Sequence, residues 1–452
     1  MSDLTLTLYP ERVKFPSVST SIVEDLLLKS GIVGGLLALI LINIRLHTFT
    51  PILTASTRHS FGALLLRPCI LWFAAGSAML AFRTILWFCY RAPQLATPQS
   101  ALSMTVVIPA YNEGAMVAKA IDSVASANYD PEKLEIIVVD DGSTDETWEH
   151  IQHAVARHGS RIRAIRLERN SGKREALATG FRLGTGEIFV TVDSDSVVDA
   201  NALLALAGPF RAERVGVVAG RVLVYNRGEG LIPRMLHVRF TLAFDFLRAC
   251  QSTFRTVYCS PGALSAYRAS AVSEVLDRWV EQHFLGSRAT IGEDRALTND
   301  IMSLGYDSVY QRAAMVLTIV PITYGKLCRM FLRWDRSFVR EEIRFARIVW
   351  KRPPLIRCVA LLDCLINDLR FPAAWLTVGL MSAALLSDPL VLPRMLAAIG
   401  MAAFIYSLFY LHSERSLDIV YGVLFSYFSF FSLFWIFPWA VATVRARSWL
   451  TR

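Results

Sequence analysis

The stretch Glu187-Ile-Phe-Val-Thr-Val-Asp-Ser-Asp195 joins an apolar run to two carboxylates one residue apart. Its first part has the β-branched and aromatic composition of a buried strand, and Asp193 and Asp195 follow at the strand's end. Mg²⁺ and Mn²⁺ prefer oxygen ligands, and Mg²⁺ commonly shares its shell with substrate phosphates. The stretch therefore predicts a divalent-cation site that holds a diphosphate.

Other short apolar runs surround this strand, and polar stretches of helical character separate them. These runs are 105–108, 134–139, 162–167 and 215–224. Alternating strands and helices predict an α/β sheet with parallel strands. The functional loops of such a sheet lie at the carboxyl ends of its strands.

The composition indicates a membrane protein. Hydrophobic residues make up 54% of the 452 residues, which is too apolar for an ordinary soluble enzyme. The net charge of +9 comes from basic residues that flank apolar segments and form no long run, so we expect no nucleic-acid partner. The seven cysteines are odd in number and include no C-x-x-C pair, which favours reduced thiols over disulfides or zinc. No cleavable signal peptide is evident.

We predict four regions from the distribution of apolar and charged residues. The N-terminal membrane region 1–91 has spans at about 26–46 and 64–90, and the α/β domain covers 92–325. Basic, amphipathic interfacial helices follow at 326–370. The C-terminal membrane region is 371–452, with a basic tail and spanning candidates at about 371–392, 395–411 and 419–444.

These spans conflict with the charge of the tail. Two N-terminal spans place Met1 and the α/β domain on the same side, and three later spans would place the tail on the opposite side. However, Arg445, Arg447 and Arg452 favour the cytoplasm. Either one late segment does not span, or it crosses as a hairpin that includes Pro438.

Two acidic loops follow the first two strands. Tyr111 offers a flat face for a nucleobase, and Glu113 offers hydrogen-bond acceptors, although an ordinary strand–turn has the same composition. In Asp140-Asp141-Gly142, a carboxylate can accept the uracil N–H or contact ribose. The following Ser143 and Thr144 fit helix capping alone.

Three further motifs could bind ligands. Lys173 and Arg174 at a helix start are unfavourable unless an anion binds, which makes both candidate nucleotide contacts, and solvated surface charge is the alternative. Asp294 precedes a helix as either a cap or a general base. Arg333 can bind a diphosphate and Trp334 can stack on a sugar, although both residues are also common at membrane interfaces.

Taken in order, these motifs resemble the family 2 glycosyltransferases of membrane polysaccharide synthesis, in particular hyaluronan synthases and rhizobial chitin-oligosaccharide synthases. The matching segments are 107–113, 139–145, 170–177, 192–196, 259–268, 292–297 and 333–341. The resemblance implies a GT-A fold, a Rossmann-like mixed sheet in a cytosolic domain between transmembrane helices, and a UDP-sugar donor, for which UDP-GlcNAc is the best guess.

The resemblance also implies roles for individual residues. Asp141 would contact the uridine, Asp195 would bind Mg²⁺ or Mn²⁺, and Asp294 would be the catalytic base. The remaining nucleotide-sugar contacts would be Tyr111, Glu113, Lys173, Asp193 and Arg333. The acceptor contacts would be Ser260, Pro261, Gly262 and Trp334, and the terminal Trp449, Thr451 and Arg452 would form a gating segment or a basic stop-transfer tail.

The predicted function is inverting sugar transfer to a growing β-linked polysaccharide in the cell membrane, coupled to secretion. Two departures from the family pattern leave chain growth open: Met330 replaces a glutamine, and Pro261-Gly262 replaces Gly-Pro. The alternative is a non-processive enzyme that adds one or a few sugars to a lipid-linked acceptor. A transporter or membrane scaffold with an inactive domain is a third reading. The sequence leaves the sugar, the linkage and the oligomeric state open.

Overall fold

The computed structural model describes residues 15–16, 21–45, 68–386, 389 and 391–446. Its central feature is an eight-stranded sheet. The strands outside the small hairpin are β1 (Met104–Ala110), β2 (Leu134–Asp140), β3 (Ile162–Arg166), β4 (Ile188–Val192), β5 (Ser196–Val198), β6 (Val215–Val224), β7 (Leu264–Arg268) and β10 (Asp307–Thr318). The hairpin consists of β8 (His283–Phe284) and β9 (Ser287–Arg288).

The sheet is mixed, with the order β3-β2-β1-β4-β7-β6-β10-β5. The predicted parallel pairing holds for β1 with β2 and β4, for β2 with β3, and for β6 with β10. In contrast, β7 runs antiparallel between β4 and β6, and β5 runs antiparallel to β10. The strand β7 lies within the segment 259–268 that the motifs assign to the acceptor site, so part of that segment belongs to the core.

Helices cover both faces of the sheet and continue beyond it. They are α1 (Ile22–Arg45), α2 (Pro68–Cys89), α3 (Met116–Ala125), α4 (Thr147–His158), α5 (Lys173–Leu183), α6 (Ala202–Ala207), α7 (Leu231–Thr241), α8 (Arg248–Thr253), α9 (Ala269–Val280), α10 (Glu293–Ser303), α11 (Tyr324–Ile348), α12 (Pro354–Leu385), α13 (Val391–Glu414), α14 (Ile419–Phe428) and α15 (Ile436–Ala442). A π-helical turn, Leu242–Leu247, joins α7 to α8.

The two faces of the sheet bury separate hydrophobic clusters, because successive side chains of a strand point to opposite faces. In β1, Val106 and Ile108 join the cluster that includes α3, whereas Val107 packs with α5, α9 and α10. The fully buried Trp279 of α9 belongs to the second cluster. This second layer places the starts of α5 and α10 beside the carboxyl end of β4.

Within the described residues, one helical stretch, Met395–Glu414 of α13, is long and apolar enough to cross a membrane. The pair Ile419–Leu433 and Ile436–Ala442, bent by 48°, would be a second if it counts as one span. The helix α12 runs unbroken past residue 370, where the sequence analysis separates interfacial from spanning segments.

Candidate active site

The loops that follow β1 and β2 form one wall of the site. Because these strands are parallel neighbours, their loops meet: the Asp141 N–H donates to the Ala110 carbonyl at 2.8 Å. The Asn112 N–H donates to Ser143 Oγ at 3.0 Å, and the Thr144 N–H donates to Asn112 Oδ1 at 2.9 Å. These crossing hydrogen bonds fix the two predicted nucleotide-binding loops against each other.

Asp141 uses both carboxylate oxygens on backbone groups. Oδ1 accepts from the Ser171 N–H at 2.7 Å, and Oδ2 accepts from the Gly172 N–H at 2.8 Å. The carboxyl is 3% exposed, and burial raises its pKa. In this structure Asp141 therefore holds the loop that leads into α5, and the predicted contact with uridine would have to use its remaining lone pairs.

Lys173, the first residue of α5, lies between two carboxylates. Its Nζ is 2.5 Å from Asp193 Oδ1 and 3.0 Å from Glu293 Oε1. Burial alone would lower the pKa of Lys173, but the charges of Asp193 and Glu293 outweigh it and raise the pKa. The ammonium thus connects the end of β4 to the start of α10.

Arg174 does not contribute to this site, so its prediction as a nucleotide contact is wrong. Its side chain is 4% exposed and donates to the Trp279 carbonyl at 2.5 Å and to Gln282 Oε1 at 2.9 Å. The guanidinium also lies 5.2 Å from the centre of the Trp279 ring. The helical turn directs Arg174 into the protein, while Lys173 faces the carboxylates.

Asp294 lies in the first turn of α10. Its Oδ2 accepts from the Gly262 N–H at 3.2 Å and is 3.8 Å from Cys259 Sγ, while Oδ1 accepts from the Arg295 N–H at 2.7 Å. Burial and the neighbouring Glu293 charge raise the pKa of Asp294 to about 6. A carboxyl of this pKa is well suited to take a proton near neutral pH.

Asp195 lies two residues after Asp193, in the turn that follows β4. Its Oδ1 accepts from Thr318 Oγ1 at 3.2 Å and from Ser196 Oγ at 3.3 Å. Burial, followed by the charges of Asp193 and Glu113, raises the pKa of Asp195 to about 7. Three carboxylates therefore influence one another at the carboxyl ends of β1 and β4.

The carboxylate oxygen atoms at the ends of β1 and β4 suit a hard cation only in part. Asp193, Asp195 and Glu113 supply oxygen atoms, and a cation would relieve their mutual repulsion. However, the described residues contain no group of three histidine, cysteine, aspartate or glutamate ligands placed to hold a metal by themselves. Oxygen atoms of a bound diphosphate would complete the shell, as is usual for Mg²⁺.

The predicted acceptor residues Ser260, Pro261 and Gly262 differ in what they contact. Ser260 Oγ lies 2.6 Å from Thr298 Oγ1 and is fully buried, so its side chain faces α10. The Pro261 carbonyl accepts from Ser265 Oγ at 2.6 Å, which ties this residue to β7. A Cβ at Gly262 would lie 2.9 Å from Lys173 Nζ, so the backbone of Gly262 lines the site.

Arg333 and Trp334 lie on α11. Burial would raise the pKa of Glu293, but the charge of Lys173 and, more weakly, that of Arg333 lower it. Trp334 is 37% exposed, and its ring packs against Phe240 and Phe331 with centroids 5.8 and 5.6 Å away.

The remaining predicted contacts lie elsewhere in the chain. Tyr111 is half-buried in the loop after β1. The gating candidates Trp449, Thr451 and Arg452 lie outside the described residues.

Two residues that organise the site, Glu293 and Thr298, were not predicted from the sequence. Glu293 is 5% exposed, pairs with Lys173 and raises the pKa of Asp294. Thr298, one turn later, accepts from Ser260 and donates to the Asp294 carbonyl at 2.8 Å. The sequence offered one signal for Glu293, namely its position next to Asp294 in the motif. It offered none for Thr298.

Part of the chain is similar to known glycosyltransferases. Residues 105–276 match the family described as Glycosyl transferase family 2. The chain is similar to an N-acetylglucosaminyltransferase of Azorhizobium caulinodans, with 33% identity over 244 residues that cover 54% of this chain and 61% of the relative. It is also similar to a hyaluronan synthase of Streptococcus pyogenes, with 35% identity over 255 residues that cover 55% of this chain and 60% of the relative. The chain thus spans less than two thirds of the length of these curated relatives.

The fold resembles a solved structure of the mannosyltransferase PcManGT from Pyrobaculum calidifontis in complex with GDP-Man and Mn²⁺. The TM-score is 0.59 at 19% identity, and the match covers 80% of this chain and 98% of that chain. At this identity the likeness concerns the fold alone. It confirms the GT-A type of mixed α/β sheet that the motifs predict.

Proposed function

We propose that this chain transfers a sugar from a UDP-sugar to an acceptor hydroxyl with inversion. The match of residues 105–276 to the family described as Glycosyl transferase family 2 supports this proposal. The best guess for the donor is UDP-GlcNAc, since relatives named N-acetylglucosaminyltransferase and hyaluronan synthase match the same region. The acceptor would be a growing β-linked polysaccharide at the membrane.

One observation carries this proposal: the start of α10 brings Asp294 to the backbone of Gly262, directly beside the carboxylates that Lys173 joins. A base, a cation-binding pair and a basic side chain therefore lie within one cluster. Single displacement needs such a set, and it needs no second nucleophilic carboxylate.

In the proposed reaction, Asp294 removes the proton from the acceptor hydroxyl while the hydroxyl oxygen forms a bond to the anomeric carbon. The bond from that carbon to the diphosphate oxygen breaks, and the electron pair leaves with UDP. Lys173 would exchange a carboxylate for the diphosphate when the donor binds, and Arg333 would add a second positive charge from α11. Attack from the side opposite the leaving group inverts the configuration.

Asp195, with Asp193 beside it, would hold a divalent cation that neutralises the leaving diphosphate. Both Mg²⁺ and Mn²⁺ suit these oxygen atoms. Thr318 would keep the Asp195 carboxylate in place through its hydroxyl.

We further propose that the chain is anchored in the cell membrane, with the α/β domain in the cytoplasm, and passes its product through its own helices. The apolar helix α13 supports the anchoring. The non-processive alternative rests on Met330, which is 5% exposed and packs in the core. A methionine there cannot donate a hydrogen bond to the diphosphate or the acceptor.

A donor panel tests this proposal. Purified chain with Mg²⁺ or Mn²⁺ is expected to release UDP from one UDP-sugar and to lose this activity with EDTA. Product mass separates the two alternatives, since a polymer supports extension and a single added sugar supports the non-processive enzyme. No UDP release from any donor with either metal would contradict the transferase.

The proposed base also predicts the pH dependence of the reaction. Asp294 acts only when ionised, so kcat/KM should fall about tenfold per pH unit below its pKa of about 6 and level off above it. The charges near this carboxyl are Glu293, Asp193 and Lys173. Since Glu293 raises the pKa of Asp294, Glu293→Gln should move the midpoint to lower pH. A profile that stays flat down to about pH 5 in the wild type would contradict the assignment.

A further inference from the structure

The last apolar segment, Ile419–Ala442, has the composition of a membrane span. It contains no charged residue, and ten of its side chains are aromatic. As a span, it would place the basic tail on the side opposite the α/β domain, which is the conflict that the sequence leaves open. The contacts of this segment with the rest of the protein resolve the conflict.

The segment begins on the α/β domain. The Tyr421 hydroxyl accepts from Arg234 Nη1 at 2.9 Å, and the Arg234 guanidinium lies 5.6 Å from the centre of the Tyr421 ring. Gly422 packs so closely on α7 that a Cβ there would lie 2.9 Å from Val238 Cγ1. The preceding helix α13 also ends at the sheet, where Glu414 Oε1 is 2.6 Å from Arg221 Nη2 of β6.

The segment also ends on this domain. Arg336 of α11 donates through Nε and Nη2 to Thr443 Oγ1 at 3.1 and 2.9 Å. Ser287 in the β8–β9 hairpin donates to the Arg445 carbonyl at 3.1 Å. These bonds hold the chain at 443–445 beside the hairpin that precedes α10.

Between its ends the segment follows α11. The Tyr324 hydroxyl donates to the Ser432 carbonyl at 2.7 Å. From Tyr324 to Arg336 the helix α11 advances about 18 Å, and the path from Ser432 to Thr443 has a similar length, so the two run side by side. A 48° bend between Ile419–Leu433 and Ile436–Ala442 allows this course.

The two sides of the segment differ in burial. Four side chains join the main hydrophobic cluster of the domain: Phe425, Leu433, Ile436 and Ala440. On the other side, Phe431, Trp435 and Trp439 remain 52, 40 and 54% exposed. Tryptophan is enriched at membrane–water interfaces, so the exposed side of the segment suits that position.

We propose that Ile419–Ala442 does not cross the membrane but lies against α11 with its exposed aromatic side in the lipid interface. A crossing would separate its ends by a hydrocarbon layer about 30 Å thick, whereas both ends contact the α/β domain. The chain at Arg445 therefore lies on the same side as the catalytic site. This inference rests on the membrane anchoring proposed above and is independent of sugar transfer.

Side-specific labelling in a bacterial host tests this topology. Arg445→Cys is expected to react with a membrane-impermeant maleimide only after spheroplasts are lysed, at a level above the parent chain. Gln152→Cys, exposed on α4 of the catalytic domain, is the matched reference and should behave in the same way. Labelling of Arg445→Cys in intact spheroplasts, with Gln152→Cys protected, would overturn the inference.

Two further measurements need no substitution. A fluorescent protein that matures only in the cytoplasm, fused after Arg452, should fluoresce, and a dark fusion with an active alkaline phosphatase counterpart would overturn the inference. Extraction of the wild-type chain from membranes by alkaline carbonate would overturn the anchoring itself. UDP release, measured separately, would still decide the transferase.

Discussion

Replacement of Asp294 by asparagine is expected to lower kcat by about 10²- to 10⁴-fold, the usual contribution of a general base. Asparagine has nearly the same shape and can still accept the hydrogen bond that the Gly262 N–H donates to this position. It cannot take a proton from the acceptor. Donor binding should therefore change little, so the loss should be in kcat and not in the affinity for the UDP-sugar.

The measurement is the initial rate of UDP release at saturating donor, with donor affinity from calorimetry on the same samples. Glu132→Gln is the control, since this carboxylate is exposed and far from the site. If Asp294→Asn keeps kcat within a few-fold of the wild type, Asp294 is not the base. Glu293, its neighbour on α10, would then be the next candidate.

Replacement of Glu341 by glutamine is expected to give the largest loss of stability, about 3–5 kcal/mol. This fully buried carboxylate accepts from Gln282 Nε2 at 2.7 Å, Arg340 Nε at 2.8 Å and Arg344 Nη1 at 2.8 Å. Burial would raise its pKa, but the two arginines outweigh it and lower the pKa to about 2. Without this charge, Arg340 would remain buried with reduced compensation.

The pH dependence of this contribution has a defined sign. Because the pKa of Glu341 is lower in the folded protein than its usual value of 4.5, the ionised form stabilises the fold above about pH 4.5. The stabilisation is lost as the pH falls toward 2. Glu341→Gln should remove this acid-sensitive component.

Thermal unfolding in detergent measures the loss, with Asp277→Asn as the matched control. Asp277 also pairs with an arginine, Arg182, but its side chain is 91% exposed, and such surface pairs contribute about 0–1 kcal/mol. Equal shifts in Tm for the two variants would contradict the role assigned to Glu341. Glu341 also accepts from Asn299 Nδ2 of α10 at 3.1 Å. A selective loss would show that this carboxylate fixes α11 against α10 and against Gln282, which follows α9.

The sequence was most informative about local structure. The predicted positions of Asp193 and Asp195 after a strand and of Asp294 at a helix start are confirmed, because strand and helix ends depend mainly on the local sequence. The order of the strands was harder to predict. β7 is only five residues long, and its antiparallel place between β4 and β6 depends on contacts distant in sequence.

The same distinction explains the errors at single residues. Lys173 and Arg174 are adjacent and chemically alike, yet one faces two carboxylates and the other lies over Trp279. Only the packing of α5 on α9 decides between them. Likewise, Ser260 belongs to an acceptor motif, but its hydroxyl meets Thr298 from a helix more than thirty residues later.

The Lys173 ammonium, held between Asp193 and Glu293, has a consequence for the energetics of binding. Before the donor arrives, this side chain acts as a tethered counter-ion that keeps like charges from pushing the site apart. In the proposed reaction, an incoming diphosphate would exchange one ionic partner of Lys173 for another and would not have to assemble the site. The free energy needed to order a site lowers its affinity for a ligand. A site that is already ordered therefore binds its substrate more tightly for the same contacts.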